Sequence, residues 1–149
     1  MKRKVLSVLL ATAMLGSMAA AVPAAAAEED QTLTVWCWDP NFNIYAMQQA
    51  EKIYQEDHPD FKLDIQENVY GDIETKLITA ATSNDYSTLP DIFLMQDYSY
   101  HKDVTSFPGV FTELTDSGID FTQFSAGKLA DSTVDGKNYG VPFDNGATI

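Results

Sequence analysis

Acidic, amide and aromatic residues recur where short apolar segments of this chain end, and together they carry the chemistry that binds polyhydroxylated ligands. Trp36, Trp38 and Asp39 close the first such segment. Glu67, Asn68 and Tyr70 follow the second, Asp97 and Tyr98 follow the third, and Asp144 and Asn145 stand near position 149. Carboxylates and amides form paired hydrogen bonds with a rim of hydroxyls. Flat aromatic rings cover apolar C–H faces and exclude water. Trp36, Trp38, Asp39, Asn68, Asp97, Tyr98, Asp144 and Asn145 are therefore the candidate binding residues for a neutral polyol. Each type has an ordinary alternative role, since Trp and Tyr fill cores and Asp caps helices and turns. Their convergence at segment ends points to a shared site more strongly than any one of them.

Other chemistries lack their residues. The chain has no Gly-x-Ser-x-Gly elbow and no phosphate-binding glycine loop. His58 and His101 are isolated, without metal-ligand spacing. Asp39-Pro40-Asn41-Phe42-Asn43 opens like a calcium loop, but Ile44 stands where Gly is needed and Ala50 where the bidentate Glu is needed. We expect no metal, no cofactor and no catalytic residue. The enzymatic alternative is a secreted glycoside hydrolase with two carboxylates flanking a sugar; a receptor for another solute, such as a peptide, is a further one.

The elements that must position these residues follow from periodicity. Residues 33–38 (LTVWCW) are β-branched and aromatic and predict a first strand, with Leu33, Val35 and Cys37 on one face and Thr34, Trp36 and Trp38 on the other. Asn41 or Asn43 can cap a helix running to about Asp57, whose stripe is Ile44, Met47, Ala50 and Tyr54. His58-Pro59 ends it. Phe61, Leu63 and Ile65 alternate with polar residues as a second strand. Asp72 can cap a helix with the stripe Ile73, Leu77, Ala80 and Ala81. The run 91–95 (DIFLM) reads as a third strand buried on both faces. Strand–helix–strand–helix–strand implies an α/β lobe with a central, mostly parallel sheet flanked by helices. Asp103 to Leu114 is ambiguous. Asp120 can cap a short helix through Ala130, and Asp135-Gly136 predicts a hairpin joining Thr133-Val134 to Tyr139-Gly140-Val141.

The N-terminus predicts export. Lys2, Arg3 and Lys4 precede an apolar run from Val5 to Val22, and Pro23 and four alanines lead into Glu28-Glu29-Asp30. This is the layout of a signal peptide, residues 1–27, cut after Ala27. Removing Lys2, Arg3 and Lys4 from nine basic residues leaves six against 22 acidic ones, a net charge of −16 over 122 residues. Such a surface repels nucleic acid and anionic lipid. Cys37 is the sole cysteine. It forms no internal disulfide and, ten residues past the cut, is not a lipid anchor, so it is expected to be buried and inert.

Five stretches carry a family resemblance: 33–38 (LTVWCW), 54–59 (YQEDHP), 89–95 (LPDIFLM), 111–116 (FTELTD) and 135–144 (DGKNYGVPFD). In order and spacing they resemble the N-terminal part of bacterial extracellular solute-binding proteins of the family 1, maltose-binding-like type, the receptors of ABC importers for carbohydrates. The resemblance implies a periplasmic-binding-protein-like fold of two lobes that close on a sugar by hinge bending. It implies an N-terminal α/β lobe over 28–138 and a first hinge-crossing segment over 139–149, with the chain truncated and the second lobe absent. It also implies a monomer, outside the cytoplasmic membrane, whose partners are a carbohydrate and the ABC permease subunits. Trp36, Trp38, Asp39, Asp97, Asp144 and Asn145 fall at the cleft by position. Many relatives carry a lipid-anchoring Cys at the cleavage site, where this chain has alanines.

Overall fold

The computed structural model describes residues 32–144. The expected signal peptide and Asn145 lie outside the described residues. Strand β1 (Thr32–Cys37) lies at the centre of a parallel three-stranded sheet of order β2-β1-β3. Strand β2 (Lys62–Glu67) pairs along its whole length, from Thr32↔Lys62 to Cys37↔Glu67. Strand β3 (Ile92–Phe93) pairs only through Val35↔Ile92 and Trp36↔Phe93. The expected five-residue strand is thus shorter, and Ile92 is 39% exposed, so it is not buried on both faces. A side-chain clasp stands where the ladder would begin. Asp91 Oδ2 accepts from the Thr34 amide at 2.8 Å and hydroxyl at 2.7 Å, and Thr34 Oγ1 accepts from the Asp91 amide at 3.0 Å.

Each face of the sheet buries its own cluster, as the alternation along β1 requires. Val35, Cys37 and Leu94 pack with Leu63, Ile65, Ile44 and Met47. The last two come from a π-helical turn (Pro40–Ile44) and helix α1 (Tyr45–Tyr54). On the opposite face Trp36 packs with Ile73 and Leu77 of helix α2 (Tyr70–Ser83). Cys37 is fully buried, and that burial, followed by the field of Glu67, raises its thiol pKa. The first helix departs from expectation in three ways. Its cap is Asp39, whose Oδ1 accepts from Asn41 N at 3.0 Å, rather than Asn41 or Asn43. It ends at Tyr54, and Ala50 and Tyr54 are exposed. Its inner surface continues in polar groups instead: Glu51 Oε1 accepts from Leu63 N, and Gln55 Nε2 donates to Phe61 O. In α2 three residues of the predicted stripe, Ile73, Leu77 and Ala80, are buried, and the fourth, Ala81, is half-buried. Val69, not Asp72, is the capping residue; Asp72 lies in the first turn, where the helix dipole favours its charge. Asn84 ends the helix at φ 53°.

Helix α3 (Asp97–Ser106) was not expected, because its buried residues Ser99, Asp103 and Val104 are mostly polar and carry no apolar stripe. Asp120 caps a single 3₁₀ turn (Phe121–Gln123), and helix α4 (Ala126–Ser132) follows separately. The hairpin forms at Asp135-Gly136, with φ of 51° and 78°, the positive values that a two-residue turn of this kind needs. Its strands are β4 (Thr133–Val134) and β5 (Lys137–Asn138), so the return strand lies before Tyr139 rather than over 139–141.

Candidate binding groove

A groove of about 1260 Å³ runs beside β3, one of the two edge strands of the sheet among the described residues, and over the carboxyl ends of β1 and β3. Its two stretches differ. Beside β3 it is an apolar trough of Leu89, Phe93, Val110, Phe111 and Leu114. Beyond the strand ends it becomes polar and aromatic, with Trp38, Asp39, Asp97, Tyr98, Lys128 and Asp144 in its lining. Ligands of open α/β sheets sit beyond carboxyl strand ends, which makes the second stretch the candidate site.

Local structure explains how each side chain arrives there. Trp38 stands one residue past β1 and packs against both core clusters. Its ring meets Tyr70 edge-on at 5.1 Å, and Tyr70 meets Tyr98 at 6.2 Å. Tyr70 is held by Ser99 Oγ and by Glu74 Oε1. Burial pushes its phenol pKa up to about 12, so the phenol stays neutral and keeps its proton for hydrogen bonding. Tyr98 is 77% exposed and offers a bare ring at the groove mouth. Asp39 has φ 58°, an uncommon conformation that Asp tolerates better than most residues, and its self-made cap fixes it. Phe143 meets Phe42 edge-on at 6.0 Å, which brings the segment carrying Asp144 towards the turn after Asp39.

Asp97 opens α3 and is ion-paired with Lys128 Nζ of α4. That bond, then the fields of Asp144 and Asp131, raises the Lys128 pKa against a partial burial that lowers it. Lys128 was missed by sequence reasoning, as was Asp131: Lys128 lies 31 residues from Asp97, and no local period joins them. Tyr100 was missed too. It lines the groove with its hydroxyl buried and without a partner, and burial raises its pKa.

Two candidate residues stand elsewhere. Trp36 is 7% exposed and is a core residue: Ile73 and Leu77 pack against it, Lys76 Nζ lies 4.4 Å from its ring centre, and its Nε1 donates to Gln66 Oε1 at 3.1 Å. Alternation puts it on the same face as Trp38, but α2 seals it. Asn68 is absent from the groove lining; its Nδ2 donates to Gln66 O and its Oδ1 accepts from Lys76 Nζ. Trp38, Asp39, Asp97, Tyr98 and Asp144 are brought together. Among the described residues no group of three or more His, Cys, Asp or Glu side chains is arranged to hold a metal ion, and no helix is long and apolar enough to cross a membrane.

Comparison with known proteins assigns this architecture. The family model described as bacterial extracellular solute-binding protein matches residues 49–149. The chain belongs to that family. This solute-binding protein is 45% identical over 148 residues to a lactose-binding protein of Rhizobium radiobacter, covering 99% of this chain and 33% of the relative. The chain thus spans about a third of the length of that curated relative. Solved structures share its fold. The GacH receptor of Streptomyces glaucescens, solved unliganded and with acarbose, is 20% identical with a TM-score of 0.58, over 72% of this chain and 27% of that one. An oligogalacturonide-binding protein of Yersinia enterocolitica, solved with saturated digalacturonic acid, is 22% identical with a TM-score of 0.56, over 76% and 28%.

Proposed function

We propose that this chain is the N-terminal lobe of the substrate-binding component of an ABC importer, and that it binds a carbohydrate, an oligosaccharide, outside the cytoplasmic membrane without transforming it. The observation that carries the proposal is the meeting of Trp38, Asp39, Asp97, Tyr98 and Asp144 on one groove beyond the strand ends. In this reading Trp38 and Tyr98 cover the C–H faces of sugar rings, and Asp39 and Asp144 accept hydroxyl hydrogen bonds. Asp97 and Lys128 act as a joint acceptor and donor. The groove volume exceeds the roughly 300–1,000 Å³ of a drug-sized pocket, which suits more than one ring. Residues 28–138 form the lobe, and 139–149 form the first crossing towards a second lobe that completes the cleft. The receptor acts as a monomer that delivers its ligand to the permease subunits.

The relative named for lactose makes lactose the first saccharide to test. Titration calorimetry of the full-length protein against neutral di- and oligosaccharides should give saturable binding. Trp38→Ala should weaken it at least tenfold, by loss of apolar cover worth about 1.5–3 kcal/mol. Sugar release from chromogenic glycosides, abolished by Asp97→Asn, would instead favour the hydrolase. Export is tested by N-terminal sequencing of the protein recovered outside the cytoplasm, which should begin at Glu28.

A further inference from the structure

The fold leaves the charge of the sugar open, since one neighbour of similar architecture holds a uronide. The polar stretch of this groove is lined by Asp39, Asp97, Asp131 and Asp144, with Lys128 as its basic residue among the described ones. We propose, resting on the carbohydrate reading, that this lobe selects neutral saccharides and rejects uronates and other anionic sugars, with Asp131 and Asp144 as the residues that enforce the selection.

A uronate carboxylate needs a cation free to meet it, ideally in a two-pronged hydrogen bond. Lys128 is not free. Its ammonium is ion-paired with Asp97 and lies in the fields of Asp144 and Asp131. An incoming carboxylate would have to displace Asp97 and would still face the other two. Lys128 has an elevated pKa, so it keeps its proton, and a neutral amine is not available to relieve the pairing. Ser132 and Tyr139, neighbours in the same lining, bring hydroxyls and no second cation. Neutral hydroxyls face no such conflict, because they donate to carboxylates and accept from the ammonium without adding charge. The surplus of carboxylates focuses a negative potential in a concave site, where it acts on ligand choice more strongly than on an open surface.

The test uses the full-length protein and an array of neutral saccharides printed beside their C6-oxidised uronate forms and the methyl esters of those uronates. For the tightest neutral binder, the uronate should bind at least tenfold more weakly at about 10 mM salt. The methyl ester, which has nearly the same shape without the charge, should recover most of the loss. The gap should narrow near 1 M salt, where the screening length falls from about 30 Å to about 3 Å. Asp131→Asn with Asp144→Asn should narrow it at low salt. A uronate that binds as tightly as its neutral parent at low salt overturns this inference and leaves the carbohydrate reading standing. If no saccharide of any charge binds, the carbohydrate reading falls, and the inference falls with it.

Discussion

The wall of the groove built from residues 32–95 buries Val35, Cys37, Ile73 and Leu77 on the two faces of a parallel sheet. The wall built from residues 97–144 buries fewer apolar side chains, Val104 and Val134 among them, and adds a set of polar ties. Asn138 is buried at its centre. Its amide donates to Thr115 Oγ1, its carbonyl accepts from Leu114 N, and its Oδ1 accepts from Gly140 N. Ser132 O accepts from Tyr139 N, Lys137 pairs with Glu113 at 2.7 Å, and Lys128 pairs with Asp97. Apolar burial is non-directional and makes a rigid platform. Directional bonds instead hold side chains at set points along a groove. The contrast teaches a division of labour: the first wall carries most of the apolar core, and the second carries most of the polar groups of the candidate site.

The largest expected effect breaks the first wall. Ile73 is fully buried, so Ile73→Ala should cost about 2–5 kcal/mol and lower the midpoint of urea unfolding. A loss below about 1 kcal/mol would mean that the sheet is not the main source of stability. Next comes Gly140→Ala in the second wall. A Cβ there would lie 2.6 Å from Tyr100 Oη and 3.0 Å from Cζ, so one of them must move. The expected cost is roughly 1–3 kcal/mol, partly rescued by Tyr100→Phe. Tyr100→Phe alone should go the other way. It removes a buried hydroxyl that has no partner, and unfolding free energy should hold or rise by up to about 1–3 kcal/mol. A clear destabilisation would show that the hydroxyl is bonded after all.

The smallest effect concerns the clasp between β1 and β3. The bonds from the Thr34 amide and hydroxyl hold the Asp91 carboxyl pKa below its ordinary value. A depressed folded value stabilises the fold above the unfolded pKa, about 3.9, and the benefit disappears as pH falls through the folded value. Stability should therefore be flat near neutrality and fall below about pH 4, and Asp91→Asn should flatten that fall. An unchanged acid limb would assign acid sensitivity to other carboxylates.

The first wall was largely legible in the sequence for the same reason that it is stable. Ile73, Leu77 and Ala80 recur at helical spacing, and Leu63 and Ile65 alternate at strand spacing, so burial leaves a period. The hairpin was legible because Asp135-Gly136 supplies two positive φ values. Much of the second wall left no period. Helix α3 buries Ser99 and Asp103, and Lys128 meets Asp97 across 31 residues. Trp36 and Trp38 show the limit within one strand. Alternation puts both on one face, yet only the contact with α2 determines that Trp36 is sealed and Trp38 reaches the groove. Asp39, Asp97 and Asp144 were legible as site candidates because chain ends of strands and segment boundaries were, not because their partners were.

A crystal structure of the full-length protein grown with the neutral saccharide that binds it most tightly in the titrations proposed above tests the central claim most directly. A sugar ring should lie against Trp38 or Tyr98, with hydroxyls within hydrogen-bond distance of the Asp39, Asp97 or Asp144 carboxylates. A saccharide seated away from the polar stretch, with Trp38 and Asp144 untouched, would contradict it.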